Sequence, residues 1–141
     1  MSIDTAGNLR VLLDTNIIIS AIGFGGKPAQ ILLQALEGEI QAVISPILLA
    51  ELQDVLNKKL VLSDEDIKLA LEEIEDSFQS VYPRSTINIV KDDDDNRVLE
   101  AAIEGNCEYI ITGDKELLNL REYKDIHIVT ADEFLNLCKT S

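Results

Sequence analysis

Short apolar runs alternate with stretches of helical period along the chain, and this alternation constrains the fold more than any other feature. Apolar runs of strand length separated by helices belong to βαβ units, whose strands lie parallel in one sheet. The runs predict strands at Arg10–Asp14, Gln41–Ser45, Ile87–Val90, Tyr109–Thr112 and Ile126–Val129. Helical signals fill the gaps. Pro28 opens a helix to Glu37 with Gly38 as its stop, and Ser45-Pro46 caps a helix reaching about Leu60. Ser63 with Asp66, and Thr130 with Glu133, have the form of capping boxes. The stretch from about 46 to 81 is long for a simple crossover, so a projecting helical hairpin is expected there. The fold class is α/β: a five-stranded, mainly parallel sheet flanked by helices. No repeat or linker divides the 141 residues, so 1–141 reads as one domain with a flexible tail at 1–8.

Composition narrows the chemistry. The longest apolar runs, such as Ile17-Ile18-Ile19, are too short to cross a bilayer, and Met1 to Asn8 lacks a signal-peptide pattern. Cys107 and Cys138 are the only cysteines, which suggests no disulfide framework, and a cytoplasmic location is expected. With one histidine, His127, two-histidine acid–base cleavage and zinc clusters are excluded, and a Cys–His nucleophile pair has no supporting motif. Twenty-six acids against twelve bases leave a net charge of −14, the reverse of a general nucleic-acid binder. Such a balance calls for a local basic strip on an acidic body, or a basic protein partner. Catalysis in this chain would run on carboxylates.

Four carboxylates stand where structure alone does not ask for them. Ligands of open α/β sheets bind beyond the carboxyl ends of the strands. Asp14 and Asp114 fall there, although either could simply cap a helix. On the helix after Pro46, Ile47, Leu48, Leu52, Val55 and Leu56 form an apolar arc that includes Glu51, where a charge costs several kcal/mol unless a metal or a salt bridge to Lys or Arg compensates it. In the run Asp92-Asp93-Asp94-Asp95, helical phase puts Asp95 on the stripe of Val98, Leu99 and Ala102. Asp93 and Asp94 point away, and Asp92 is borderline. Asp14, Glu51, Asp95 and Asp114 can therefore meet at one mouth of the sheet. Packed carboxylates repel unless a cation joins them, and hard oxygen donors suit Mg²⁺ or Mn²⁺. A metal so held can activate water and clamp a phosphate.

These residues resemble the PIN-domain family from about Leu9 to Leu137. The carriers are Val11-Leu12-Leu13-Asp14-Thr15-Asn16, Ser45-Pro46 with Glu51, Asp95-Asn96-Arg97-Val98-Leu99-Glu100-Ala101-Ala102, and Tyr109-Ile110-Ile111-Thr112-Gly113-Asp114-Lys115. The chain is most similar to VapC-like toxins of toxin–antitoxin pairs. The resemblance implies Mg²⁺- or Mn²⁺-dependent hydrolysis of RNA, a homodimer, and a small antitoxin partner, for which a basic region would suit the acidic chain. It makes Asp14, Glu51, Asp95 and Asp114 the metal acids, with Thr15, Asn16 and Thr112 in support. Many such toxins carry Thr-x-Asn-x-x-Asp-Phe after the fourth strand; here Asp114 precedes and Leu117 takes the later place, so Glu116 is an alternative fourth ligand and Asp92 an alternative third.

Lys27, Arg97 and Lys115 lie near these motifs and are the candidates to touch phosphate. The glycine-rich Gly23–Pro28 lacks Walker spacing and reads as a link between two helices over the substrate cleft. Two rivals stand beside the nuclease: a catalytically silent binding module on the same fold, and a haloacid-dehalogenase-like phosphatase. The phosphatase needs an acid where Asn16 stands.

Overall fold

In a computed structural model, which describes residues 9–60 and 62–140, the apolar runs form a sheet with the first strand at its centre. The elements are β1 (Arg10–Leu13), α1 (Thr15–Phe24), α2 (Gly26–Leu36), β2 (Gln41–Ile44), α3 (Pro46–Lys59), α4 (Asp64–Ser77), β3 (Gln79–Ser80), α5 (Asp93–Glu104), β4 (Tyr109–Ile111), α6 (Lys115–Leu120), β5 (Glu122–Tyr123), β6 (Ile126–Val129) and α7 (Ala131–Thr140). The strand order is β3-β2-β1-β4-β6-β5. Every pairing is parallel except β5 with β6. Val11, Leu12, Ile110 and Ile111 are fully buried, as expected of strands covered on both faces. The proposed N-terminal tail, 1–8, lies outside the described residues. No single described helix is long and apolar enough to cross a membrane.

The capping signals hold. Ser45 Oγ accepts from Leu48 N (3.4 Å) and Ser63 Oγ from Asp66 N (3.0 Å). Thr130 and Glu133 bond reciprocally, at 2.9 and 3.1 Å. The helical hairpin is α3 and α4.

The sheet has six strands rather than five, and one predicted strand is absent. Ile87–Val90 is an irregular segment, and the edge beside β2 is taken instead by Gln79–Ser80, paired with Val43 and Ile44. The apolar spacing was read correctly as burial, since Ile87 and Val90 are both in the core. Its backbone groups, however, are taken by side chains of α5. Ile87 N donates to Glu100 Oε2 (2.8 Å), while Ile89 N and Val90 N donate to Asn96 Oδ1 (3.1 Å each). A segment whose amides are satisfied in this way does not need a strand neighbour. The sixth strand, β5, joins β6 through Lys124 and Asp125, both at positive φ (48° and 68°), a tight hairpin that no Gly signals.

A second correction concerns Gly23–Pro28. The helix begins at Gly26, not Pro28, and the link shrinks to Gly25, whose φ of 77° turns the chain by 106° between α1 and α2. It lies at the far end of the ten-residue α1 from Asp14, roughly 15 Å along the axis, and none of these residues lines the acidic cleft described next.

Candidate functional site

Sheet register creates the site. Leu13 pairs with Ile111, so the next residues, Asp14 and Thr112, leave adjacent strands side by side. Thr112 Oγ1 donates to Asp14 Oδ2 (2.7 Å) and accepts from Asp114 N (3.0 Å). Thr112 is wholly buried and Asp14 nearly so, at 6% exposure. One hydroxyl thus ties together the two strand ends that carry acids. Asp14 occupies an N-cap position; its carboxylate meets the amides at the start of α1, but its closest bond is to Thr112 on the neighbouring strand end, so capping alone does not account for it. Asp114 does cap, its Oδ2 accepting from Leu117 N at 3.0 Å, and it also faces the cleft.

Two helices complete the wall. Glu51 projects from α3, and its Oε1 accepts from Thr15 Oγ1 (2.9 Å) at the start of α1. The apolar face of α3 is narrower than its sequence pattern: Leu48, Leu52 and Leu56 are buried, but Ile47 is 54% exposed. Glu51 therefore stands half-buried at the rim of that face instead of within it. From α5, Asp95 is buried at 7% exposure, and its Oδ2 has no hydrogen-bond partner.

The resulting cleft, about 110 Å³, is lined by the carboxylates of Asp14, Glu51, Asp92, Asp94, Asp95 and Asp114, with Thr15, Asn16 and Val55 between them. Asp94 qualifies the helical-phase argument, which sent it to solvent together with Asp93: it is exposed, yet it also borders the cleft. Phase separates faces only when one side of a helix is covered. Here α5 is enclosed by the sheet, by α3 and by the 87–90 segment, and buried residues run almost all round it. Asp94 meets Glu51 and lines the cleft although it is exposed, as is Asp93, which lies outside the cleft. Asp92 caps α5 through Asp94 N (2.9 Å) and lines the cleft. Glu116 does not line it; its Oε1 accepts from Asp92 N at 3.2 Å.

Burial and mutual repulsion govern the charges. Desolvation pushes the Asp14 carboxyl above the ordinary aspartate range; the Thr112 hydroxyl and the amides of Asn16 and Thr15 oppose this, and Asp114 reinforces it. Glu51 is raised first by desolvation, then by Asp94 and Asp14, against the pull of Thr15. Asp95 is pushed up to about 7, first by desolvation, then by a hydrogen bond that its protonated form donates to Asp114 and by the charge of Asp114, with Asp92 and Asp14 adding to it. The cleft is a place where negative charge is held at a cost.

A divalent cation would relieve that cost. The donors are all hard oxygens, and the orphaned Asp95 Oδ2 is a buried acceptor waiting for a positive partner. As they stand, no three His, Cys, Asp or Glu side chains among the described residues already form a closed coordination set. The donor chemistry fits a hard divalent cation such as Mg²⁺ or Mn²⁺.

The candidate phosphate contacts separate. Lys27 is ion-paired with Asp132 at the start of α7 and does not line the cleft. Arg97 donates to Glu100 Oε2 (2.7 Å) and to Ile87 O (3.1 Å), and borders a smaller cavity shared with Glu51 and Asp94. Lys115 is exposed directly after Asp114. Burial pushes the Cys107 thiol up to about 12 and raises that of Cys138 as well, which disfavours the thiolate a Cys–His pair needs.

Comparison with known proteins adds an independent line. The sequence matches the profile of a family described as PIN domain over residues 10–116. A Methanocaldococcus jannaschii protein, named only as uncharacterized, is 35% identical over 124 residues, covering 81% of this chain and 76% of that one. Among solved structures, VapBC2 from Rickettsia felis, crystallised with a DNA fragment from its promoter, is similar with a TM-score of 0.61 at 18% identity. That match covers 84% of this chain and 96% of the other. A Pyrobaculum aerophilum protein gives a TM-score of 0.53 at 14% identity, over 98% and 96% of the two chains. At these identities both structures speak for the fold.

Proposed function

Because the chain belongs to the PIN-domain family, whose members are generally nucleases, we propose that it is a ribonuclease dependent on Mg²⁺ or Mn²⁺. The observation that carries this reading is the cleft itself: six carboxylates lining one mouth of the sheet, with a buried oxygen of Asp95 lacking any partner. Buried acids are costly and persist only where something compensates them. Asp14, Asp95 and Asp114 would hold the ion, with Glu51, Asp92 and Asp94 within the same cleft. A bound cation supplies charge to the scissile phosphate and lowers the pKa of the attacking water. Thr112 holds Asp14 in place and Thr15 holds Glu51, so Glu51 is poised at the rim to take a proton. Asn16 lines the cleft from the first turn of α1, Arg97 borders the adjoining cavity, and the exposed Lys115 follows Asp114; these two cations would steer phosphate.

The likeness to the VapC-containing complex, together with the net charge of −14, supports a place as the toxin of a toxin–antitoxin pair. Its partner would be a small protein with a basic region, and the chain would work as a cytoplasmic, single-domain protein and a homodimer. Asp14→Asn and Asp95→Asn should each lower RNA cleavage by at least about a hundredfold, the scale of losing one electrostatic contact to the reaction centre. Cleavage at wild-type rate in both variants would remove the cleft from the mechanism.

A further inference from the structure

Along one face of α5, Asn96, Glu100 and Glu104 recur every four residues, and each grips the segment that precedes the helix. Glu104 accepts from Arg84 N (3.1 Å), Glu100 from Ile87 N (2.8 Å), and Asn96 from Ile89 N and Val90 N (3.1 Å each). Asn96 Nδ2 also donates to Val90 O (2.9 Å), and Arg97, paired with Glu100, donates to Ile87 O. Asn96 is wholly buried and Glu100 is 9% exposed, whereas Arg84 at the far rung is 87% exposed. The segment is thus strapped antiparallel to α5 by three rungs, with Asn96, the rung next to the cleft, making three bonds to it.

That end of the strap matters because two residues after Val90 comes Asp92. Its carbonyl accepts from Asp95 N and Asn96 N (3.1 and 3.2 Å), and its side chain caps Asp94. The first turn of α5 therefore carries Asp92, Asp94 and Asp95 into a cleft already holding Asp14, Glu51 and Asp114. Like charges so placed drive this turn outward. The neutral Asn96 amide and the Glu100 carboxylate hold it from behind.

We infer that Asn96 and Glu100 are positioning residues, which set the three α5 acids for a divalent cation by clamping the 87–90 strap to the helix that bears them. This rests on the metal-nuclease reading for the identity of the ion. Coupling of this kind is reciprocal: if an ordered strap favours the ion, the ion must favour an ordered strap.

The test uses the full chain and Mn²⁺ or Mg²⁺ alone, with binding followed by calorimetry. Asn96→Ala and Glu100→Ala should weaken Mn²⁺ by about ten- to a hundredfold, while Glu100→Gln, which keeps an acceptor for Ile87 N, stays within about threefold. Glu104→Ala, at the far rung, should leave affinity within about twofold even where it lowers the melting temperature, a pattern that a general loss of stability would not give. In the unmodified protein, Mg²⁺ should slow amide exchange at Ile87, Ile89 and Val90 more than at Arg84, a measurement that needs no variant to fold. Unchanged exchange at the three amides, or Mn²⁺ affinity that follows melting temperature across all four variants, would overturn the inference while leaving the nuclease intact. Failure of the unmodified protein to bind either ion would overturn both.

Discussion

Thr112→Val isolates the one hydroxyl that joins the two acid-bearing strand ends. Valine has nearly the same shape, so no cavity opens, but both hydrogen bonds are lost. The bond to the Asp14 carboxylate, at 2.7 Å and fully buried, is worth about 1.5–3 kcal/mol, as expected for a charged acceptor. The bond from Asp114 N is only part-buried; water can replace it, so about 0.5–1 kcal/mol is appropriate. The sum is about 2–4 kcal/mol. For a chain of this size, about 3 °C per kcal/mol gives a melting temperature lower by about 6–12 °C. Thr112→Ser keeps the hydroxyl and loses one buried methyl, so it should cost about 1 kcal/mol. Thermal unfolding of the metal-free variants by circular dichroism at neutral pH checks this. A valine variant that melts with the wild type, or a serine variant that is the less stable of the two, would refute the clasp and make Thr112 an ordinary packing residue.

Three other outcomes follow from the cleft. Asp94→Asn should impair RNA cleavage by about tenfold or more, the lower end expected for groups supporting a metal site, whereas Asp93→Asn should match the wild type; equal rates for the two in a cleavage assay would return Asp94 to the solvent face. Glu51→Gln should abolish cleavage yet leave the metal-free protein at least as stable, because the amide escapes part of the desolvation and the repulsion from Asp94 and Asp14; a clear fall in its melting temperature would make Glu51 a structural acid. Asp14, Glu51 and Asp95 all have native pKa values above their unfolded ones, so between about pH 4 and 7 the native state binds more protons, and stability must fall as pH rises. Melts in EDTA should show that fall, and it should be shallower in Asp95→Asn; identical slopes would mean Asp95 titrates normally.

The legible part of this protein was the part dictated by period and by strand ends. Asp14 and Asp114 could be placed because a parallel sheet sends its strand ends to one mouth, and the pairing of Leu13 with Ile111 does so. Asp95 could be placed because it shares a stripe with Val98 and Leu99. The misplacements share one cause, long-range contacts that local pattern does not encode. Ile87–Val90 has the apolar spacing of a strand, but Asn96 and Glu100 occupy its amides from a helix later in the chain. Asp94 is exposed as its phase predicts, but phase could not show that α3 brings Glu51 to its side of α5. Ile47 was counted as core because it follows the helical period, yet it is 54% exposed. Lys27 is near Asp14 in sequence, but the turn at Gly25 directs it toward Asp132.

The central claim is that the acidic cleft is a cation site that cuts RNA, and metal titration tests it most directly. A cation that binds only the folded chain adds about 2.7 kcal/mol at a hundredfold excess over its dissociation constant. Mn²⁺ and Mg²⁺ should therefore raise the melting temperature well beyond a sodium control of equal ionic strength, with the gain much reduced in Asp14→Asn and kept in Asp93→Asn. The same ions should switch on cleavage of single-stranded RNA, and EDTA should stop it. A melting temperature indifferent to both ions, or cleavage that persists in EDTA, would contradict the account.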